Sequence, residues 1–203
     1  MAKYVLTKEP AWPFYAEGGY LGVAMSSGDR IDNCGGGNVT GMATPAPTPT
    51  PTGTQLPTRT PQNSVLDDFN RANGAVGSNW SGNTSKFAVA NQRLVVTTSN
   101  DWGYLIWKNA YFDANQEAYL TVRVVNPDDG YFDLFLKAQT NIPGYVDTID
   151  VGYNPVSQTL EVHTYDGTNG WQAFGTPAAV NLSPGDRVGA VATDAGQVLV
   201  YHN

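Results

Sequence analysis

The sequence has few charged residues and very little glutamate. Asp, Glu, Lys and Arg make up 14% of the 203 residues, and only four of these residues are Glu. Such a composition does not favour helices rich in Glu, Lys and Leu. The formal net charge is −7, and no cluster of Lys or Arg is present. Because phosphate binding depends on concentrated positive charge, neither nucleic acid nor an anionic membrane surface is expected as a partner.

Long apolar segments and paired cysteines are also missing. No run of eighteen apolar residues occurs, so membrane insertion is not expected, and the opening "MAKYVLTKEP" lacks the apolar core of an export signal. Cys34 is the one cysteine, which excludes an intramolecular disulfide and a thiolate zinc cluster. We expect a half-buried small side chain there, although a free thiol could also pair between chains or serve as a labelling site.

The residues that are abundant favour short strands joined by turns. The chain contains 22 Gly, 13 Pro, 11 Tyr, 7 Phe and 5 Trp. Apolar and polar residues alternate in ten segments, which are separated by turn signals rich in Asp, Asn, Gly and Pro. The segments are 64–70, 86–98, 102–108, 117–125, 131–138, 146–153, 159–165, 171–175, 186–193 and 197–203. The pattern predicts an all-β antiparallel sandwich or barrel.

Residues 43–63, "ATPAPTPTPTGTQLPTRTPQN", form a Thr/Pro-rich linker between residues 1–42 and residues 64–203. Such a segment cannot build a core and is predicted to be extended or disordered. Linkers of this kind are typical of secreted bacterial proteins and favour an extracellular or cell-surface origin. That origin conflicts with the missing export signal, so the chain is interpreted as a fragment or a rearranged sequence.

The piece before the linker is too short to fold alone. Its three strand-like segments, 3–9, 20–26 and 29–35, cannot bury an independent core. The chain ends in "GQVLVYHN" (196–203), which looks like half of a hairpin, and residues 3–9 would complete it. We therefore predict that residues 1–42 supply the closing strands of the sandwich formed by residues 64–203. Residues 30–35 are expected beside residues 65–69. A self-completed monomer is favoured, and a strand-swapped oligomer or fibre is the alternative.

Four stretches carry a family resemblance. They are similar to stretches of bacterial concanavalin A-like (laminin G-like) domains, but they occur in rotated order: "LDDFNRANGAVGSNW" (66–80), "VLVYHN" (198–203), "WPFYAEGGYLGVAM" (12–25) and "RIDNCGGG" (30–37). The resemblance implies a two-sheet jelly-roll sandwich that is circularly permuted. Members of this family usually have an aromatic residue where Cys34 stands, so Cys34 is interpreted as an introduced thiol.

The chain has no motif that requires a cofactor. Concanavalin A-like domains often hold a structural Ca²⁺ where the first and last strands meet, and the resemblance implies that Asp32 and Asp67 would supply carboxylates for it. The alternative is that both aspartates bond to Arg30, to Arg71 or to backbone amides.

Aromatic side chains are the candidates for ligand binding. Indole and phenol rings stack on the apolar faces of sugars, while acidic and amide side chains bind sugar hydroxyls. Trp171 is the strongest candidate because it follows the turn "DGTNG", with Asn169 nearby as a hydrogen-bonding partner. Trp102, Tyr104 and Tyr153 complete the predicted set.

Catalytic groups are poorly represented. Glycosidases built on a jelly roll generally carry a Glu-x-Asp-x-Glu strand, and none occurs here. Glu161, His163 and Tyr165 share a strand face and are favoured as solvent-facing residues over an acid/base set. Asp147 and Asp150 fall on opposite strand faces and make an unconvincing pair.

The sequence therefore favours a non-catalytic extracellular recognition or adhesion module with a polysaccharide or other glycan as its ligand. The alternative is a structural or self-assembling subunit, or an engineered scaffold that displays Cys34. A glycoside hydrolase is the third and weakest reading.

Overall fold

A computed structural model describes residues 2–6, 11–40, 56, 59–128, 131–140 and 146–203. These residues form two antiparallel sheets, which confirms the all-β prediction. The strands are β1 (Ala2–Val5), β2 (Tyr20–Ser26), β3 (Arg30–Asn38), β4 (Val65–Asp67), β5 (Gly74–Ala75), β6 (Trp80–Gly82), β7 (Phe87–Val89), β8 (Leu94–Val96), β9 (Trp102–Trp107), β10 (Gln116–Val124), β11 (Phe132–Ala138), β12 (Thr148–Asn154), β13 (Thr159–Asp166), β14 (Gly170–Ala179), β15 (Arg187–Ala192) and β16 (Gln197–His202).

The strands are shared between two sheets. Sheet I has the order β1-β16-β15-β10-β3-β8-β7-β5, with β4 also paired to β3, and sheet II has the order β14-β13-β12-β11-β2-β9-β6. Side chains from both sheets make one apolar core, including Ile31 and Leu120 from sheet I and Val23 and Leu134 from sheet II. Within the described ranges the single helix is the three-residue 3-10 turn Thr84–Lys86, and no helix there could cross a membrane.

The strands before the linker lie inside both sheets. β2 lies between β11 and β9, and β3 lies between β10 and β8. β1 pairs with β16 of the same chain, with Lys3 opposite Leu199, and β3 pairs with β4, with Cys34 opposite Asp67. Both pairings predicted from the sequence are therefore present. Neither half of the chain contains a complete sheet, so both halves are needed to form the one core.

The segment between β1 and β2 is held against the sandwich by two buried side chains. Trp12 is buried in the core, and its Nε1 donates to the carbonyl of Tyr165 at 3.1 Å. Lys137 is fully buried, and its ammonium donates to the carbonyls of Tyr15 and Thr193. Burial lowers the pKa of Lys137 to about 8, opposed by the charge of Asp194. Both contacts fasten residues 11–17 across the ends of the two sheets.

The end of the linker is docked on the outer face of sheet I. Glu117 is fully buried there, and its Oε2 accepts from the backbone N–H of Gln62 at 2.8 Å. Its Oε1 accepts from the Tyr201 hydroxyl at 3.0 Å and pairs with Arg59 Nε at 3.3 Å. A buried carboxylate needs such partners, which explains why residues 59–63 follow a fixed path. Residues 43–55 and 57–58, where the extended or disordered linker was predicted, lie outside the described residues.

Cys34 is buried more completely than the sequence predicts. Its side chain is 2% exposed and belongs to the core between the sheets. Burial, together with the nearby charge of Asp67, raises the pKa of the Cys34 thiol far above its usual range. A scaffold that displays Cys34 to solvent is inconsistent with this position.

The folded protein should therefore protect its thiol. We expect a disulfide reagent to modify Cys34 on the order of a hundredfold more slowly in the native protein than in denaturant, because the thiolate is the reactive form. The release of the reagent's chromophore measures both rates. Equal rates in the two conditions would contradict the buried position of Cys34.

Candidate functional site

A cleft of about 710 Å³ lies on the outer face of sheet II. Its walls and floor come from β14, β13, β12, β11, β2 and β9, together with Tyr131 and Val146. The volume falls in the range typical of sites for small molecules and short oligomers. The cleft is therefore the candidate site of this protein.

Exposed aromatic rings mark the two margins of the cleft. Trp171 on β14 is 53% exposed, and Trp102 on β9 is 57% exposed. These strands are five positions apart in sheet II, which separates the two margins by about 24 Å across the strands. The ring of Tyr165 lies 5.2 Å from that of Trp171, and Tyr131 adds a ring that is 41% exposed. The cleft is thus long, and flat apolar surfaces stand at both margins.

Two carboxyl groups lie on the floor between these margins. The sheet register aligns Asp150 of β12 with Phe135 of β11 and aligns Gly152 of β12 with Asp133 of β11. A Cβ atom at Gly152 would lie 2.4 Å from Asp133 Oδ1, so a larger residue there would displace this carboxyl group from its present position. Asp150 is 8% exposed, and its Oδ1 makes no hydrogen bond within the described part of the chain.

The environment of this pair favours its protonated form. Burial raises the pKa of Asp133 well above its usual range, and the charges of Asp150, Asp29 and Glu161 add to the effect. Burial, reinforced by Glu161, raises the pKa of Asp150 to about 8. In the empty cleft Asp150 therefore keeps its proton at pH 7 and can donate as well as accept hydrogen bonds, whereas a positive charge that enters the cleft would favour its ionised form.

Glu161 and His163 extend the polar floor along β13. His163 Nε2 lies 3.7 Å from Glu161 Oε2, and Glu161 Oε1 accepts from the hydroxyl of Thr159 at 2.9 Å. Burial lowers the pKa of His163, opposed by the charge of Glu161, so the imidazole is neutral at pH 7. The residues that line the cleft include no Lys or Arg, and its polar character is therefore acidic.

Three of the predicted ligand-binding residues line the cleft together: Trp171, Trp102 and Tyr104. Tyr153 does not, because it is 2% exposed and its ring stacks on that of Phe132 at 5.2 Å in the core between the sheets. Asn169 serves the turn instead, since its Nδ2 donates to the carboxylate of Asp166 at 3.1 and 3.2 Å. Tyr153 and Asn169 are therefore removed from the candidate site.

The two aspartates considered for calcium are each paired with an arginine. Asp67 accepts from Arg71 Nη1 at 2.6 Å and from Trp80 Nε1 at 2.8 Å, and Asp32 accepts from Arg123 Nε at 2.8 Å. No group of three or more His, Cys, Asp or Glu side chains in the described ranges is placed to hold a metal ion. The alternative interpretation is correct for Asp67, which bonds to Arg71, whereas Asp32 bonds to Arg123, an arginine that the sequence analysis did not consider.

Sequence reasoning missed Asp133 and Phe135, and it dismissed Asp150. The signal that could have found them is the alternation of Tyr131, Asp133 and Phe135 along one strand, which puts an acid between two rings on the same face. Asp150 was compared with Asp147 on its own strand, whereas its structural neighbours come from β11 and β13. Cross-strand register therefore creates the acidic floor.

No family model, curated protein or solved structure matches this chain.

Proposed function

We propose that this protein is a non-catalytic glycan-recognition module of an extracellular or cell-surface protein. The observation that carries the proposal is the pair of exposed tryptophans, Trp102 and Trp171, at opposite margins of a cleft with an acidic floor. Exposed indoles cost hydration energy unless a ligand covers them, and sugar rings offer flat C–H faces that do so.

The floor supplies the polar half of such a site. Carboxyl groups accept hydrogen bonds from sugar hydroxyls, and Asp150 Oδ1 makes no hydrogen bond to the residues that the structure describes. The hydroxyl of Tyr131 accepts from Asn154 Nδ2 at 2.9 Å and keeps its own proton for donation to a ligand. The separation of the margins suits an oligosaccharide better than a single sugar.

The proposal includes a fold family. The order of the sequence motifs and the position of β1 beside β16 support a concanavalin A-like jelly roll whose closing strands precede its opening strands. The proposed mode of binding requires no metal ion, because the acids and rings of the cleft contact the sugar directly. A monomer is the proposed state.

Removing the exposed indoles should weaken binding. We expect Trp171→Ala and Trp102→Ala each to reduce affinity for a bound polysaccharide about tenfold, since each deletes a stacking surface that a sugar would cover. Affinity electrophoresis through gels that contain individual polysaccharides measures the loss. Tyr111→Ala is the matched control, because Tyr111 is 56% exposed and lies outside the cleft.

The proposal would be contradicted if no polysaccharide slowed the protein in the gel. It would also be contradicted if Tyr111→Ala reduced the retardation as strongly as Trp171→Ala, because a general surface effect would then explain the retardation.

An assembly role is the competing proposal. In that case β1 to β3 would complete the sheets of another molecule, and the mass in solution would grow with concentration. Light scattering after size exclusion tests this directly. A constant mass near 21.8 kDa supports the monomer and excludes strand exchange.

A further inference from the structure

The cleft holds acidic side chains but no Lys or Arg, and this bears on the kind of glycan that it selects. Asp133 and Asp150 lie on its floor, and Glu161 on the adjoining strand is close enough to raise the pKa of both. Lys86, at the Trp102 margin, is paired with Asp101 at 2.8 Å, and its ammonium also donates to the Trp102 carbonyl. No cation of the described chain therefore compensates the carboxyl groups of the floor.

Asp150 gives independent evidence that a ligand belongs there. It is more than nine-tenths buried, yet Oδ1 has no hydrogen-bond partner among the described residues. A buried acceptor without a partner costs on the order of 1–3 kcal/mol, and native proteins rarely keep one without a role. A cationic group of a ligand would supply a partner for this atom and would favour its ionised form.

A metal ion is a poor candidate for this charge. The described residues contain no group of three or more His, Cys, Asp or Glu placed as metal ligands, and the cleft is lined by rings around its acids. An ammonium group on an organic ligand suits such surroundings better, because aromatic faces attract cations as well as stack on rings.

We propose that the cleft selects a glycan with free amino groups, a polymer or oligomer of 2-amino-2-deoxy sugars, and holds one ammonium group between Asp133 and Asp150. This inference rests on the proposed function and names the ligand class for the same site. The sugar rings stack on Trp102 and Trp171, while the ammonium donates to Asp150 Oδ1 and to the carboxyl group of Asp133.

The chemistry discriminates among sugars. An acetylated amine carries no charge and needs space for its acyl group, so it loses the charge-assisted hydrogen bonds. A uronic acid brings a second negative charge toward Glu161 and is repelled. A neutral sugar retains stacking and ordinary hydrogen bonds and binds with intermediate affinity.

Two oligosaccharides that differ only in acetylation provide the test. We expect β-1,4-linked glucosamine oligomers to bind at least about tenfold more tightly than N-acetylglucosamine oligomers of equal length, measured by calorimetry near neutral pH. Asp150→Asn and Asp133→Asn should each remove this preference while stacking at Trp102 and Trp171 persists. Asp68→Asn is the control, since Asp68 is exposed and lies outside the cleft.

The outcomes separate the two proposals. Equal affinity for both oligomers, or a preference that both cleft variants retain, overturns the amino-sugar inference and leaves glycan recognition standing. Binding that appears only with added calcium and disappears with a chelator also overturns the inference, because it assigns the acids to a metal. Failure to bind either oligomer or any other polysaccharide overturns the proposed function itself.

Discussion

A chain reduced to residues 64–203 should fail to fold, although it holds thirteen of the sixteen strands described above. β2 hydrogen-bonds to both β11 and β9, and β3 bonds to β10, β8 and β4, so their removal splits each sheet in its interior. It also removes the buried side chains of Val23, Met25 and Ile31. Each such side chain contributes roughly 1.5–3 kcal/mol, so these three alone contribute about 4.5–9 kcal/mol, which is comparable to the whole stability of a typical domain.

The measurement is a thermal melt followed by circular dichroism, on the intact chain and on residues 64–203. The truncated chain should be insoluble or melt without cooperativity. A protease site inserted within residues 44–54 is the control: after cleavage, the two fragments should elute together and keep the melting transition of the intact chain. Cooperative unfolding of the truncated chain at an unchanged temperature would contradict the placement of β2 and β3 inside the sheets.

The replacement Asp150→Asn should stabilise the protein at alkaline pH. Asp150 has a pKa of about 8 in the folded state, against roughly 3.9 in an unfolded chain. The native state therefore binds more protons between these values, and the free energy of unfolding falls as pH rises through that window. The neutral amide does not ionise, so we expect the variant to exceed the parent by about 2–4 kcal/mol at pH 9.

Urea unfolding at a series of pH values tests this expectation. Below about pH 4 the advantage from ionisation should vanish, because the carboxyl group is then protonated in both states. Asp68→Asn, which makes the same chemical change at an exposed site, should shift stability by less than about 0.5 kcal/mol at every pH. A destabilised Asp150→Asn protein at pH 9 would show that the carboxylate has a stabilising partner.

The predicted effects of Asp150→Asn on stability and on ligand selectivity indicate that this site is maintained at the expense of stability. The same carboxyl group that weakens the empty protein at alkaline pH is the one proposed to hold a ligand. Active and binding sites commonly conflict with stability in this way. Asp150→Asn should therefore raise the melting temperature at alkaline pH and lower the selectivity of the cleft for its ligand.

The alternation of β13 shows what the sequence could predict. Leu160, Val162 and Thr164 are buried on one face of this strand, and Glu161, His163 and Tyr165 are partly exposed on the other. The period of two therefore gave the correct faces from the residues alone. It could not give the neighbours across the strand, and these decide that His163 lies beside Asp150.

Tyr153 illustrates why the candidate site was only partly predictable. β12 lies near the middle of sheet II, with the core on one side and the cleft floor on the other, so six of its seven residues are buried. Burial on both faces removes the contrast that identifies the outward side of a strand. The sequence thus identified the aromatic residues of the cleft margins better than the acids of its floor.

The distribution of the five tryptophans allows ligand binding to be followed by intrinsic fluorescence. Trp12, Trp80 and Trp107 are buried, whereas Trp102 and Trp171 are exposed, and both of the exposed indoles line the cleft. A soluble quencher such as acrylamide or iodide will reach the fluorescence of these two rings first. Occupancy of the cleft can therefore be followed in the unlabelled protein as a loss of quenching and a blue shift in emission.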